Sequence, residues 1–562
     1  MFLFIDKLEK RLNNNLIKII LAGFIGLCFF ILIRGMNILN PSYIDWILDI
    51  QDSTFHFVGW HFFRNDGWQF PIGKISNYGY PISAIAYTDS IPLFAIFFKI
   101  FSPILPTNFQ YFGIWILTCY ILQGIFGFLL MKQITNKSII QLIGTIIFVF
   151  SPPMLLRFQG HFALMGHWVL LASIWLYLKE KNNLLKEWFI IISVSLLIHP
   201  YLWIMVLGIF FAYLFKRYFF QEKKYVFLFL NVVISLLLSL FIMWQIGLFT
   251  INSSNFSTEG YEWYSMNVTS LINPIDNGKW SNFLMTRQQG GGQYEGFNYL
   301  GFGMIILLIF SIYYLFDFIV NKKYLKTNFN NKYLPLLIIS ILFTIFSLSN
   351  IIQCDTMELL RYPLPLFLKK IFGIFRSSGR LFWIVYYLIV LLFIYNFINK
   401  NSYKLASIFL IFIVFIQLYD ISNAIMSYRK NLKFKTENKI LSMSKKIDKL
   451  IKSNNIKKIT ILPLFDGNDI DYQSYYQYSP FAIIASSNEL NINFYYAARF
   501  SDDFIEYIKL INTSHLEGKF EENSLYIIKN QYFDKYATFF TEKDLILNID
   551  NNDKIFIKNG KK

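Results

Sequence analysis

Cysteine is nearly absent: three residues in 562, and Cys28, Cys119 and Cys354 lie too far apart for a disulfide framework or a zinc-binding spacing. Charge is scarce as well. Asp, Glu, Lys and Arg supply 15% of the chain against 55% hydrophobic residues, a balance outside that of ordinary globular domains. A glycine-rich run occurs at Gly290-Gly291-Gly292, but no Lys-Ser/Thr follows it, so it is not a nucleotide P-loop. The N-terminus places Lys7, Lys10 and Arg11 before an apolar run, as a signal peptide does. Ile31 to Ile38 offer no small-residue cleavage site, so the run is expected to stay as a first membrane span.

What the chain does have is apolar runs of roughly 20 residues, the length that crosses a bilayer core as a helix. They are expected near 16–37, 110–131, 138–156, 163–178, 187–198, 201–216, 225–249, 299–319, 333–349, 380–398 and 404–426, about eleven in all. The formal charge of +17 does not point to nucleic acid. Its Lys and Arg residues sit mostly in short loops: Lys132 and Lys137, Lys179 to Lys186, Arg217 to Lys224, Lys322 to Lys332, Lys400 to Lys404. By the positive-inside rule these loops and the basic N-terminus are cytoplasmic. Loops 38–109, 157–162, 250–298 and 350–379, with the tail, then face outward. Ile91 to Ile104 is apolar but carries Pro92, Lys99 and Pro103, and a crossing there would invert the alternation; a re-entrant or interfacial segment is expected.

The expected fold is an α-helical polytopic membrane protein, with a transmembrane domain over 1–427 and a small C-terminal α/β extracytoplasmic domain over 428–562. In that tail the pattern predicts a helix within Lys430–Lys452, a strand at Lys458–Leu464, a helix at Asp503–Ile511, and strands at Leu525–Lys529, Leu545–Ile549 and Lys554–Lys558. The tail has no Walker loop, Rossmann fingerprint or metal-ligand spacing.

Candidate chemistry lies in the outward loops. Asp45, Asp49, Asp52 and His56 follow at spacings of 4, 3 and 4, which on one helix would gather three carboxylates and an imidazole on a narrow face. Like charges so crowded repel unless a cation or substrate neutralises them, and one carboxyl is then raised toward a general base; a solvated face of an interfacial helix is the plain alternative. Arg64 ends the same stretch, Phe62-Phe63-Arg64-Asn65-Asp66-Gly67-Trp68. Asp89, in Tyr87-Thr88-Asp89-Ser90, is either a helix cap or a site residue. Arg157, His161 and His167 flank an outward turn; Arg157 suits a phosphate, and the six-residue step between the histidines disfavours a metal pair. Glu295 lies in Gly292-Gln293-Tyr294-Glu295-Gly296. Phe375-Arg376-Ser377-Ser378-Gly379-Arg380 places two guanidiniums at a span head, fit for phosphate or for snorkelling.

A first helix, a long first outward loop with acids, many further spans and a C-terminal outward domain resemble the GT-C glycosyltransferase superfamily. The runs FHFVGWHFFRNDGWQFPIG, TDSIPLFAIFFKIFSPILP, GHFALMGHW, GGGQYEGFNYLG and FRSSGR are similar over nearly the whole chain to an uncharacterised bacterial membrane family, domain of unknown function 6311. The superfamily resemblance implies transfer of a sugar from a polyprenyl-phosphate-linked donor to a glycan or lipid acceptor at the outer face of the bacterial cytoplasmic membrane. It implies catalytic acids at Asp49 and Asp52; from the residue types themselves, substrate contacts are expected from His56, Arg64, Asp89, Arg157, His161, His167, Glu295, Arg376 and Arg380. A divalent cation, Mg or Mn, serves some superfamily members near the acidic motif. This chain lacks their adjacent Asp-Glu pair and any WWD-type motif. The competing expectation is a polysaccharide or lipid-linked-sugar flippase, whose charges would line a path at the membrane midplane.

Overall fold

The structure is a computed structural model that describes residues 2–12, 14–48, 50–79, 83–181, 183–221, 223–250, 260–276, 278–320, 331–430, 439–464, 472–494, 502–549 and 553–560. The chain divides into two compact units.

The first unit comprises Met1–Leu39, Phe112–Leu240 and Phe256–Lys433. Among the described residues of the chain, eight helices are long and apolar enough to cross a membrane: Asn15–Arg34, Phe112–Met131, Ser138–Gln159, Pro200–Phe220, Tyr225–Gln245, Asn331–Leu348, Ser378–Lys400 and Tyr403–Asp420. Two more apolar helices, Phe162–Leu178 and Phe302–Asp317, are shorter. Each expected span coincides with a helix, but Leu185–Ile198 has 14 residues, which at about 1.5 Å each falls short of a roughly 30 Å hydrocarbon core. It turns at His199, whose Nδ1 accepts from Tyr201 N at 3.1 Å and caps the following helix.

The burial pattern is that of a protein in lipid. In Tyr225–Gln245 the buried positions are Asn231, Ser235 and Ser239, while Phe229, Leu230, Leu237 and Phe241 are exposed. Small polar residues facing the bundle and large apolar ones facing outward invert the soluble arrangement; Ser239 there accepts from Trp203 Nε1 at 3.0 Å. Small residues also let backbones meet. A Cβ on Gly26 would stand 2.0 Å from Tyr120 O, and one on Gly124 2.2 Å from Ala22 O, so Asn15–Arg34 and Phe112–Met131 pack through glycine-lined faces. A hairpin of β1 (Ile351–Cys354) and β2 (Met357–Arg361) fills part of the loop expected at 350–379.

The second unit comprises Asn40–Tyr111, Phe241–Asn255 and Phe434–Lys562, so the α/β tail folds together with the long loop after the first span. The expected boundary after residue 427 falls inside the helix Ser422–Lys430. The sheet holds β3 (Lys458–Leu462), β4 (Asn491–Ile492), β5 (Ser524–Lys529), β6 (Leu545–Asn548) and β7 (Asp553–Ile557) in the order β4-β3-β5-β7-β6. β3 runs parallel to β4 and β5, whereas β7 is antiparallel to β5 and β6. Leu462, Tyr526, Ile528 and Phe556 form a core on one face with Phe520 and Tyr536. The segment 91–104 is a nine-residue helix, Pro92–Ile100, followed by a 3-10 turn, too short to cross a bilayer.

Candidate functional site

The site in the first unit begins with two glycines. A Cβ on Gly379 would stand 2.5 Å from Gly296 Cα, so only glycine lets the 3-10 turn that opens Ser378–Lys400 lie against the loop carrying Glu295. That approach joins Arg380 to Glu295 by two parallel bonds, Nε to Oε2 at 2.8 Å and Nη2 to Oε1 at 2.7 Å. Arg157, on the short helical turn that ends Ser138–Gln159, donates from Nη1 to Glu295 Oε2 at 2.8 Å. His161 Nε2 lies 3.7 Å from Oε1. Residues from three separate stretches of the sequence, Arg157 with His161, Glu295 and Arg380, thus form one cluster. Burial would push the Glu295 carboxyl up, but Arg380 and Arg157 outweigh it and hold it well below the usual carboxylate range. Two cations on one anion leave a net positive charge in a buried triad.

The Arg157 guanidinium rests on Trp383, 5.2 Å from Cζ to the ring centroid. His167 packs on the same indole at 4.5 Å between centroids, and its Nδ1 lies 2.8 Å from Tyr387 Oη. Tyr387 in turn donates to Ser151 Oγ at 3.1 Å and accepts from Gln123 Nε2 at 3.1 Å. Arg157 Nε and Nη2, Trp383 Nε1 and His167 Nε2 are buried without a hydrogen-bond partner among the described residues. Arg376 lies over Tyr264, with Cζ 5.9 Å from the ring centroid.

In the second unit the acidic stretch is not one helix. Asp45 opens the four-residue helix Asp45–Leu48, and a new helix, Gln51–Asn65, starts after Ile50, whose backbone is extended at φ −118° and ψ 122°. The break moves Asp45 off the face that carries Asp52 and His56; Asp49 lies outside the described residues. Ser53 and Thr54 explain the break, because their hydroxyls bond the carbonyls of Ile47 at 2.7 Å and Leu48 at 3.2 Å in place of a continuous helical ladder. One turn on, His56 Nδ1 donates to the Thr88 carbonyl. Ser90 Oγ donates to His56 O at 2.6 Å, so Asp89 is held between two residues tied to His56. Asp89 and Ile91 both have φ of 53°, a left-handed conformation costly for a β-branched isoleucine. The cap of Pro92–Ile100 is Ile91, not Asp89. Asp52, His56 and Asp89 are therefore carried by two segments locked together.

Arg64 is spent on structure: it donates to the carbonyls of Pro106 at 2.8 Å, Thr107 at 3.0 Å, Ser102 at 3.3 Å and Leu105 at 3.4 Å. No group of three or more His, Cys, Asp or Glu among the described residues is arranged to hold a metal ion.

Two buried polar residues escaped the sequence reading. Asp420 accepts from Ser281 Oγ at 2.5 Å, Tyr299 Oη at 2.7 Å and Phe302 N at 2.8 Å, fastening the loop that bears Glu295. His61 is fully buried, with Nε2 3.0 Å from Thr107 O and Nδ1 2.8 Å from Ser486 Oγ. A carbonyl on Nε2 requires a proton there, leaving Nδ1 to accept from the serine. Burial accordingly lowers its pKa to about 4. The i, i+4 step from Phe57 to His61 was the one available signal, and it reads as ordinary packing.

The family model described as Domain of unknown function (DUF6311) matches residues 23–422, and that described as DUF6311 C-terminal domain matches residues 447–557. No curated protein and no solved structure matches the chain.

Proposed function

The chain belongs to the DUF6311 family, and we propose that it is a membrane glycosyltransferase that moves a sugar from a polyprenyl-phosphate carrier to a glycan or lipid acceptor on the outer face of the cytoplasmic membrane. The observation that carries this reading is the buried Arg157–Glu295–Arg380 cluster, positively charged overall and seated at the ends of helices long enough to span a bilayer. Such a cluster favours an anionic group where the low dielectric strengthens every charge. The chemistry proceeds by attack of an acceptor hydroxyl on the anomeric carbon, with the C–O bond to phosphate breaking and the lipid phosphate leaving as an anion. Positive charge near that phosphate lowers the barrier, and the hydroxyl proton passes to a base, the role expected, from the sequence, of Asp49 or Asp52. His56 and Asp89, held on adjoining segments, orient the acceptor.

The test compares surface-glycan composition and consumption of polyprenyl-phosphate sugar in cells with wild type, Asp49→Asn, Asp52→Asn or no copy, at matched expression. A sugar lost in the deletion and restored by wild type but not by an Asn variant supports transfer. Unchanged glycans and lipid-sugar pools in the deletion overturn it and favour transport.

A further inference from the structure

Guanidinium geometry separates the two arginines of the cluster. Arg380 spends its Nε–Nη2 edge, the side that presents two parallel N–H groups, on the Glu295 carboxylate. Arg157 meets Glu295 only through Nη1. Its own Nε–Nη2 edge, the bidentate one, is buried and has no partner among the described residues. The side chain is 2% exposed, so bulk water does not serve it. Two further unpartnered nitrogens sit on the side chains packed next to it, Nε1 of Trp383 and Nε2 of His167. Four unmatched polar atoms on three side chains in one stack are rare in a folded interior, where nearly all buried polar groups are paired.

We propose that the Arg157 Nε–Nη2 edge and the Trp383 indole N–H form a receptor for the phosphate group of a phosphate ester. A carboxylate would satisfy the arginine edge alone, whereas a tetrahedral phosphate has a further oxygen for the indole. The charge also fits. Arg157 and Arg380 outnumber Glu295 by one. Glu295 and Arg380 are positioning residues: they fix Arg157 by Nη1 and leave the bidentate edge to the ligand. The proposal rests on the transferase reading for the lipid that bears the phosphate, and on this geometry alone for the anion.

The experiment uses the full chain in detergent micelles and follows its thermal melting with inorganic phosphate, with a polyprenyl monophosphate, and with phosphatidylcholine as control. Arg157→Lys keeps a cation for Glu295 but loses the bidentate edge. Trp383→Phe keeps the stack but loses the N–H. Wild type stabilised by a phosphate probe, with apparent affinity at least tenfold weaker in Arg157→Lys and weakened also in Trp383→Phe, supports the receptor. Protection by inorganic phosphate alone assigns a free anion, and protection only by the polyprenyl monophosphate assigns a lipid headgroup. No protection of wild type by either probe, or equal protection of folded Arg157→Lys, overturns it. Phosphate binding without any sugar transfer would leave the receptor standing and remove the transferase reading.

Discussion

Arg380 holds Glu295 side-on, with Nε 2.8 Å from Oε2 and Nη2 2.7 Å from Oε1, and Arg157 closes on the same oxygen with Nη1 at 2.8 Å. A single carboxylate therefore pairs with two buried guanidiniums, one charge short of neutrality, and its removal leaves both unpaired. Glu295→Gln should destabilise the protein by about 3–5 kcal/mol, the usual cost of breaking a buried ion pair from one side. Thermal or denaturant melting in micelles measures it; a loss under about 1 kcal/mol would mean that the cluster contributes little to the fold.

The same carboxylate sets an acid limit. Because its folded pKa is held below the unfolded value, its contribution is complete above pH of about 4.5 and is lost as pH falls toward the folded value. Melting curves from pH 7 downward should steepen below about 4.5 in wild type, and Glu295→Gln should remove that component.

His61 acts in a higher window. It is buried neutral with a pKa of about 4, against 6.5 when free, so the unfolded chain takes up its proton first. Stability from this group is complete above pH 6.5 and falls as pH drops through to 4, by on the order of 3 kcal/mol at the end of the window. His61→Gln, which cannot titrate there, should flatten the pH dependence of melting between those values. An unchanged slope would show that other groups govern it.

Gly379→Ala tests the approach that builds the cluster. The added methyl would lie 2.5 Å from Gly296 Cα, a backbone atom that cannot swing aside. Overpacking of this kind costs about 1–3 kcal/mol and should also weaken phosphate protection by displacing Arg380. Melting and binding measured on the same preparation separate the two effects; a variant as stable as wild type would show that the turn relaxes freely.

Asp52→Asn should leave melting within about 0.5 kcal/mol of wild type, as a substitution in a partly exposed first turn does, while lowering sugar transfer by about 10²–10⁴-fold, the usual worth of a general base. Retained transfer in a well-expressed variant would remove Asp52 from the chemistry and leave Asp49 as the candidate.

Hydropathy is a local property, and so the sequence by itself determined the membrane class and the place of every long apolar helix, because a bilayer demands runs of one length whatever the neighbours. Four of the five described strands in the tail were legible for the same reason, as at Lys458–Leu462 and Ser524–Lys529, while the two-residue strand Asn491–Ile492 is too short to carry a pattern. The helix break at Ile50 was not, since the competing hydroxyl bonds of Ser53 and Thr54 look like ordinary helix residues until their carbonyl partners are seen. Only the tertiary structure decided which charges meet. Glu295 stands 138 residues from Arg157 and 85 from Arg380, and Ser486 stands 425 from His61; no spacing rule reaches across such distances. Those pairings follow from which helices pack and where glycine lets two backbones touch, so the residue types were readable in the chain while their convergence, and the one arginine edge left over, came from the fold.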